Sequence, residues 1–295
     1  MKKIGYYIAV AYLWSISIMP MWVLYIYSDI LYYIVYYLIK YRKNVVVSNL
    51  QNSFPEKNAG EIKQISKRFY RHLCDLIVEI IAYASISRKS INKRVVYKNI
   101  GLIENFYKQG RPVIGVMGHY GNWEWGGNFP MHMAYKSLTT YKPLDDKNFD
   151  SLFKRVRERF GFVPLNMKET SREMVKNIRS GEKVILFLIA DQTPAYIELH
   201  HYATFMGQDT PVFMGPEKMA KAFDAPLVFI KMMKVKRGYY EVEFTTLCEH
   251  PRDTQEFELT NLYLRYLEKE IREKPEYWLW SHRRWKHKRT NVESG

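Results

Sequence analysis

Hydrophobic and polar positions change rhythm along this chain, and each rhythm predicts a different element. From residue 4 to residue 39 apolar and aromatic side chains run almost unbroken, with Asp29 the only charge. A membrane-spanning helix needs about 20 apolar residues, so the stretch predicts one tilted span with surplus or two shorter arms bending at Pro20. It is too long for a signal-peptide core and has no small-x-small cleavage pattern, so residues 1–43 read as an anchor belonging to the working protein. Residues 44–295 then read as the main folded domain. Phe54-Pro55-Glu56 breaks the chain. Beyond it Ile62, Ile65, Phe69, Leu73, Leu76, Ile77, Ile80 and Ile81 recur at helical spacing, predicting one long helix over residues 61–83.

After a basic linker near residues 88–98, short apolar runs alternate with amphipathic segments. Strands are expected at 112–118, 138–141, 183–189, 226–232 and 239–246, and helices at 122–134, 148–160, 169–179, 216–223 and 256–273. Such alternation predicts an α/β fold with a mostly parallel central sheet flanked by helices. There is no internal repeat, no GxGxxG and no Walker loop, so nucleotide-cofactor chemistry lacks its usual sequence support.

Composition sharpens this picture. The 295 residues carry 45 Lys and Arg against 30 Asp and Glu, a formal charge of +15, which favours a polyanionic partner such as an acidic carrier protein, an anionic membrane or nucleic acid. Nine of the 24 tyrosines lie between Tyr6 and Tyr37, with Trp14 and Trp22. Tyrosine and tryptophan favour the headgroup boundary, where the ring is buried and its polar tip stays wet. Lys2, Lys3, Lys40, Arg42 and Lys43 bracket the segment, which suits cytoplasmic placement of everything after Lys40. The two cysteines, Cys74 and Cys248, have no CxxC or Cys/His cluster around them, so neither a disulfide framework nor a zinc site is expected.

The sharpest local feature is Gly118-His119-Tyr120-Gly121-Asn122-Trp123-Glu124, placed between an expected strand and an expected helix. In open α/β sheets ligands bind at the carboxyl ends of strands, and His119 falls there. Asn122 is expected to cap the helix, which would let Glu124 bend back onto the imidazole, fix its tautomer and stabilise its charged form. No Gly-x-Ser-x-Gly supplies a serine, so the attacking hydroxyl is expected on the substrate. A structural histidine followed by a glutamate favouring a helix N-terminus is the competing reading. His132, His200, His201 and His250 have no motif around them and read as structural or solvent-facing.

With these residues in view, the sequence resembles the lipid A biosynthesis acyltransferases, the late lauroyl- and myristoyltransferases of the bacterial lysophospholipid acyltransferase superfamily. Their His-x4-Asp/Glu motif matches His119 to Glu124, with the Asn-Trp-Glu ending. Four more blocks follow the family in order: Arg42, Val46, Asn49, Leu50 and Ser53-Phe54-Pro55-Glu56; Tyr141-Lys142-Pro143 with Arg157 and Arg159 beyond; Asp191-Gln192 with Phe205-Met206-Gly207 and Thr210-Pro211; and the run from Pro275-Glu276-Tyr277-Trp278 through Trp280, His282-Arg283-Arg284-Trp285 to Lys286.

The resemblance implies a glycerol-phosphate-acyltransferase-like fold. It implies transfer of a fatty acyl group from a thioester, acyl carrier protein or acyl-CoA, to a hydroxyl of a membrane glycolipid at the bacterial inner membrane, without metal or cofactor. His119 then maps to the general base and Glu124 to its partner, while Asn122, Tyr141, Lys142, Arg157, Arg159, Asp191, Gln192 and Thr210 map to substrate contacts. The chain departs from the family at Lys142, where arginine is usual; lysine keeps the charge but loses the planar fork that grips phosphate. The residues alone leave other readings open: Arg157 and Arg159 as a solvated helix face, Asp191-Gln192 as a turn, and Trp278, Trp280 and Trp285 as packing or bilayer contacts. Two rivals to the whole assignment are an acyltransferase for a lysophospholipid or aminolipid and a basic, membrane-attached nucleic-acid-binding protein. The second leaves the His119 motif and the apolar segment unexplained, so nucleic acid is not expected as a partner.

Overall fold

The computed structural model describes residues 2–194 and 201–287. Pro20 divides the apolar amino-terminal stretch into α1 (Lys2–Ser17) and α2 (Met21–Tyr33), and α2 runs into a π-helical turn, Ile34–Ile39. Together Met21–Ile39 is the one stretch among the described residues long and apolar enough to cross a membrane. Helices α3 (Lys43–Ser53) and α4 (Ala59–Tyr83) follow; Asn58 and Glu61 close a reciprocal capping box that starts α4 where the periodicity placed it. Next come α5 (Arg88–Arg94), β1 (Val95–Tyr97), α6 (Gly101–Lys108), β2 (Val113–Met117), β3 (Lys136–Tyr141), α7 (Lys147–Glu158), β4 (Val163–Asn166), α8 (Thr170–Arg179), β5 (Val184–Ile189), β6 (Tyr202–Phe205), β7 (Gln208–Pro211), α9 (Gly215–Phe223), β8 (Leu227–Lys236), β9 (Tyr239–Cys248) and α10 (Glu258–Glu273).

The expected architecture is the observed one. Seven strands form one sheet in the order β1-β9-β8-β2-β5-β3-β4, parallel throughout except where β8 and β9 make a hairpin. The central strands carry continuous apolar runs because both faces are covered: every residue of β2 is buried, as are the first five of β5. The short strands β1 and β4, the β6–β7 hairpin, and the helices α3, α5 and α6 were not foreseen. The linker expected at residues 88–98 is instead α5 and the edge strand β1.

The amino-terminal apolar helices are built into the rest. Leu24, Ser28 and Tyr32 of α2 are buried, the Ser28 hydroxyl donates to Asp75 of α4 at 2.7 Å, and Asp29 pairs at 2.7 Å with Arg237 from the β8–β9 turn. The lone charge of the apolar stretch is therefore spoken for. The opposite faces of α1 and α2 expose Ile4, Tyr7, Ile8, Tyr12, Trp22, Ile26 and Ile30, and the turn after them exposes Leu38, apolar side chains of the kind that seek lipid.

Candidate active site

The site grows from one register. Parallel pairing of β2 with β5 sets Met117 opposite Ile189, and two residues beyond that pair lie His119 and Asp191. The His119 Nδ1–H donates to Asp191 Oδ1 at 2.6 Å, and the His119 backbone N–H donates to Oδ2 at 2.8 Å. Trp278 Nε1–H donates to the same Oδ2 at 2.7 Å. Asp191 is 2 % exposed, and burial alone would favour its neutral form. The imidazole and these donors outweigh that and hold its carboxyl below the usual aspartate range. With Nδ1 as the donor, His119 Nε2 is left as the acceptor, and Gln192 Nε2 lies 3.1 Å from it.

Two glycines let this loop fit. Gly121 has φ +60°, and a Cβ there would stand 2.7 Å from the Met232 carbonyl oxygen. At Gly118 a Cβ would meet Leu267 Cδ1 at 2.6 Å and Asp191 Oδ2 at 3.2 Å. The carboxyl-terminal segment clamps the loop from outside: Leu279 N–H donates to the His119 carbonyl, and Gly121 N–H to that of Tyr277. From beneath, buried His72 of α4 lies 3.2 Å from the Gly121 carbonyl through Nε2. Burial pushes that imidazole down to about 3, so at neutral pH it is an uncharged donor.

Glu124 stands elsewhere. Its carboxylate accepts two hydrogen bonds from Arg157 of α7, 2.6 Å from Nη2 and 3.2 Å from Nε, and makes none to the imidazole. The physical reason is the element that follows Asn122. In place of the expected α-helix over 122–134 there is a 3-10 helix, Trp125–Met131, because Gly126 and Gly127 are poor helix formers and Pro130 withholds an N–H. The histidine's carboxylate partner in the structure is therefore Asp191, already among the expected residues but expected to touch substrate.

The remaining residues divide between bracing and exposure. Asn122 is fully buried; its Oδ1 accepts from Trp125 N–H and its Nδ2 donates to Glu79 at 2.7 Å, so it braces the turn as an N-cap does. Glu79 is a second buried carboxyl, raised above its usual range by burial, and it gathers Tyr25, Asn122 and Tyr240. Arg159 donates to the Tyr83 and Ile86 carbonyls at the end of α4, where a cation suits the helix terminus. Thr210 is buried too, accepting from Trp285 Nε1 at 2.8 Å and donating to the Gln208 carbonyl. Substrate contact by Asn122, Arg159 or Thr210 is at odds with these positions. Tyr141 is half-buried, 3.4 Å from Asp150 Oδ2, and Lys142 is exposed.

Trp278 and Trp280 are buried against the loop, which decides for packing over a bilayer role. Arg284 of the carboxyl-terminal block is fully buried, with no hydrogen-bond partner for its guanidinium among the described residues. Burial pushes it down to about 10, while the Asp191 carboxylate favours its charge. His200 lies outside the described residues. Sequence reasoning passed over Glu79, His72 and the Trp278 contact. Buried polar residues on an otherwise apolar helix face are the signal that marks the first two.

Beside the imidazole, Trp123 packs edge-on at 4.9 Å and opens an apolar cavity of about 80 Å³ that runs along the sheet past Met117, Phe162, Phe187 and Ile230. A second cavity, of about 200 Å³, lies between α1, α4 and α7. Tyr83, Glu124 and Arg157 line both.

The family model of the bacterial lipid A biosynthesis acyltransferases matches residues 1–287. The chain belongs to that family. It is an acyltransferase of lipid A biosynthesis, in a family associated with bacterial membranes, and its matched span takes in both the apolar helices and the carboxyl-terminal clamp. No curated relative matches the chain. Within this acyltransferase the motif histidine sits at the sheet edge paired with Asp191, while the motif glutamate lines the apolar cavity beside it, salt-bridged to Arg157.

Proposed function

We propose that the enzyme transfers a fatty acyl chain from a thioester donor, acyl carrier protein or acyl-CoA, to a hydroxyl of a lipid A precursor at the cytoplasmic face of the inner membrane. The observation that carries this is the His119–Asp191 pair with an accepting Nε2 beside an apolar cavity. His119 Nε2 takes the proton of the acceptor hydroxyl as its oxygen attacks the thioester carbonyl. The C–S bond then breaks, and the departing thiolate takes the proton back from the imidazolium. Asp191 is a positioning residue that fixes the tautomer and favours the transient charge. Gln192, now at Nε2, is displaced or shared when the hydroxyl arrives. Trp123 and Glu124 open the turn beside the reacting carbonyl, and their N–H groups, which make no hydrogen bond among the described residues, are the donors assigned to the oxyanion.

In this reading the transferred chain lies in the cavity past Met117 and Phe187, and Arg157, held by Glu124, sets a cation at its mouth. Exposed Lys142, with Tyr141 beside it, meets phosphate on the acceptor. A chain of net charge +15 suits an acidic carrier, a phosphorylated acceptor and anionic headgroups together. Purified His119→Ala, given an acyl thioester and an acylated lipid A precursor, should lose turnover by about 10²- to 10⁴-fold while still unfolding in one cooperative transition. Undiminished turnover would remove the assignment. Transfer to a lysophospholipid in preference to the precursor would move the acceptor and keep the chemistry.

A further inference from the structure

Helix α7 is amphipathic, yet it is only loosely covered: Phe149 meets the Tyr6 ring of α1 at 5.2 Å and Val156 leans on the core, but the stripe between them is left open. Phe149, Leu152, Phe153 and Val156 fall at i, i+3, i+4 and i+7, the spacing of a core-facing stripe, but no residue of α7 is buried. The stripe faces a cavity of about 200 Å³ whose opposite wall is Val10, Leu13 and Trp14 of α1 and whose floor is Ile80 and Ile81 of α4. Among its lining residues only Glu124 and Arg157 are charged, and these two close it off from the inner cavity. The Tyr83 hydroxyl stands at that same junction, buried, with no hydrogen-bond partner among the described residues. An orphaned buried hydroxyl is destabilising unless something meets it. The outer face of α1 is the exposed apolar surface of Ile4, Tyr7, Ile8 and Tyr12, so the seam continues directly from the lipid-seeking side of the molecule.

We propose that the seam between α1 and α7 is a second hydrocarbon-chain site, which takes an acyl chain already carried by the lipid acceptor while the transferred chain occupies the inner cavity. The proposal rests on the acyl-transfer reading above and assigns the acceptor's path. Its chain slides in from the bilayer between α1 and α7, and a polar group near the head of that chain meets the Tyr83 hydroxyl. Its headgroup stays outside, close to Arg157. Two chains thus approach the His119 loop from opposite sides of the Glu124–Arg157 pair. A bulk membrane lipid does not fit as well, because the seam leads to the reacting centre, where a permanently held lipid would obstruct the acceptor.

Filling the seam tests this. Leu152→Trp, assayed in micelles with varied acylated lipid A precursor and varied acyl thioester, should raise the acceptor KM at least tenfold and leave kcat and the donor KM within about twofold. Equal rises in both KM values, or no rise in either, overturn the second site. A measurement on the unaltered enzyme guards against misfolding of the variant: a lipid A precursor with a diazirine in its acyl chain should label Leu13, Trp14 or Leu152 on irradiation. A phosphatidylethanolamine bearing the same group should label only the outer positions, such as Ile4 and Ile8. Equal labelling of the seam by both lipids, or labelling by neither, also overturns it. If the wild-type enzyme transfers no acyl group to the precursor, the parent reading falls and this one with it. If wild type transfers normally and Leu152→Trp behaves identically, only the seam falls.

Discussion

The His119 loop and the α1–α7 seam lie on either side of the Glu124–Arg157 pair, yet they are built in opposite ways. In the loop the polar atoms around the imidazole are committed: Asp191 accepts from His119 twice and from Trp278 once, and the loop backbone is pinned by Leu279 at His119 and by Tyr277 at Gly121. In the seam a helix with a well-formed apolar stripe is left half-exposed over empty space, and a buried hydroxyl is left unpaired. Proton transfer needs its groups held to a fraction of an ångström, whereas admitting a long chain needs apolar surface that the protein itself leaves uncovered. On the proposed reading, each region does what the other cannot.

The largest effects should come from breaking the committed side. Beyond His119→Ala, we expect Asp191→Asn to lower kcat by about two to four orders of magnitude, because an amide can hold the imidazole in the wrong tautomer, as in the corresponding change in a serine-protease triad. Its pH dependence is distinctive. The folded enzyme holds the Asp191 carboxyl below its unfolded value, so ionised Asp191 adds stability above about pH 4, and that contribution fades as pH falls through the folded value. Melting curves of wild type and Asp191→Asn should therefore differ most near neutrality and converge in acid. A gap that widens on acidification would contradict an ionised Asp191.

Smaller losses should follow from the boundary between the two regions. Glu124→Gln and Arg157→Lys each break the forked pair, and we expect each to lower kcat/KM by about 10- to 100-fold. The double variant should be little worse than either single one, since both remove the same unit. If Glu124 instead oriented the histidine directly, Glu124→Gln would reshape the pH–rate profile as Asp191→Asn does. Comparing those profiles separates the two carboxylates.

How much of this was legible beforehand follows the range of each interaction. The fold class could be read because β2 and β5, buried on both faces, carry unbroken apolar runs, and α4 announces itself by its 3.6-residue period and capping box. Strands β1 and β4 were missed because three or four residues give too little pattern, and α5 because its sequence, Arg-Lys-Ser-Ile-Asn-Lys-Arg, buries only Ile91. His119 was legible from its motif. Its partnership with Asp191 was not, because it is created by a strand register spanning 72 residues, and register is a tertiary fact. Glu124 was misplaced by a local error: the glycines at 126 and 127 were read as part of an α-helix that they weaken. That Arg284 turns inward could not be read at all, since a basic run does not say which of its members does so.

The smallest expected effect tests the contrast in packing directly. Phe129 is fully buried, with Phe187 at 5.0 Å and Phe244 at 5.9 Å from its ring centre, so Phe129→Ala should cost about 3–5 kcal/mol and lower the apparent Tm by roughly ten degrees. Phe153, by contrast, is 43 % exposed at the lip of the seam. In an ordinary amphipathic helix its position at i+4 in the stripe would make it a core residue. If α7 keeps that stripe for a lipid and not for the protein, Phe153→Ser should change stability by no more than about 0.5 kcal/mol. The apparent Tm would then move by about one degree. Both variants can be followed by thermal unfolding in the same micelles. A Phe153→Ser loss approaching that of Phe129→Ala would mean that α7 closes against α1 in solution, sealing the seam with the protein's own side chains and leaving no room for a second chain.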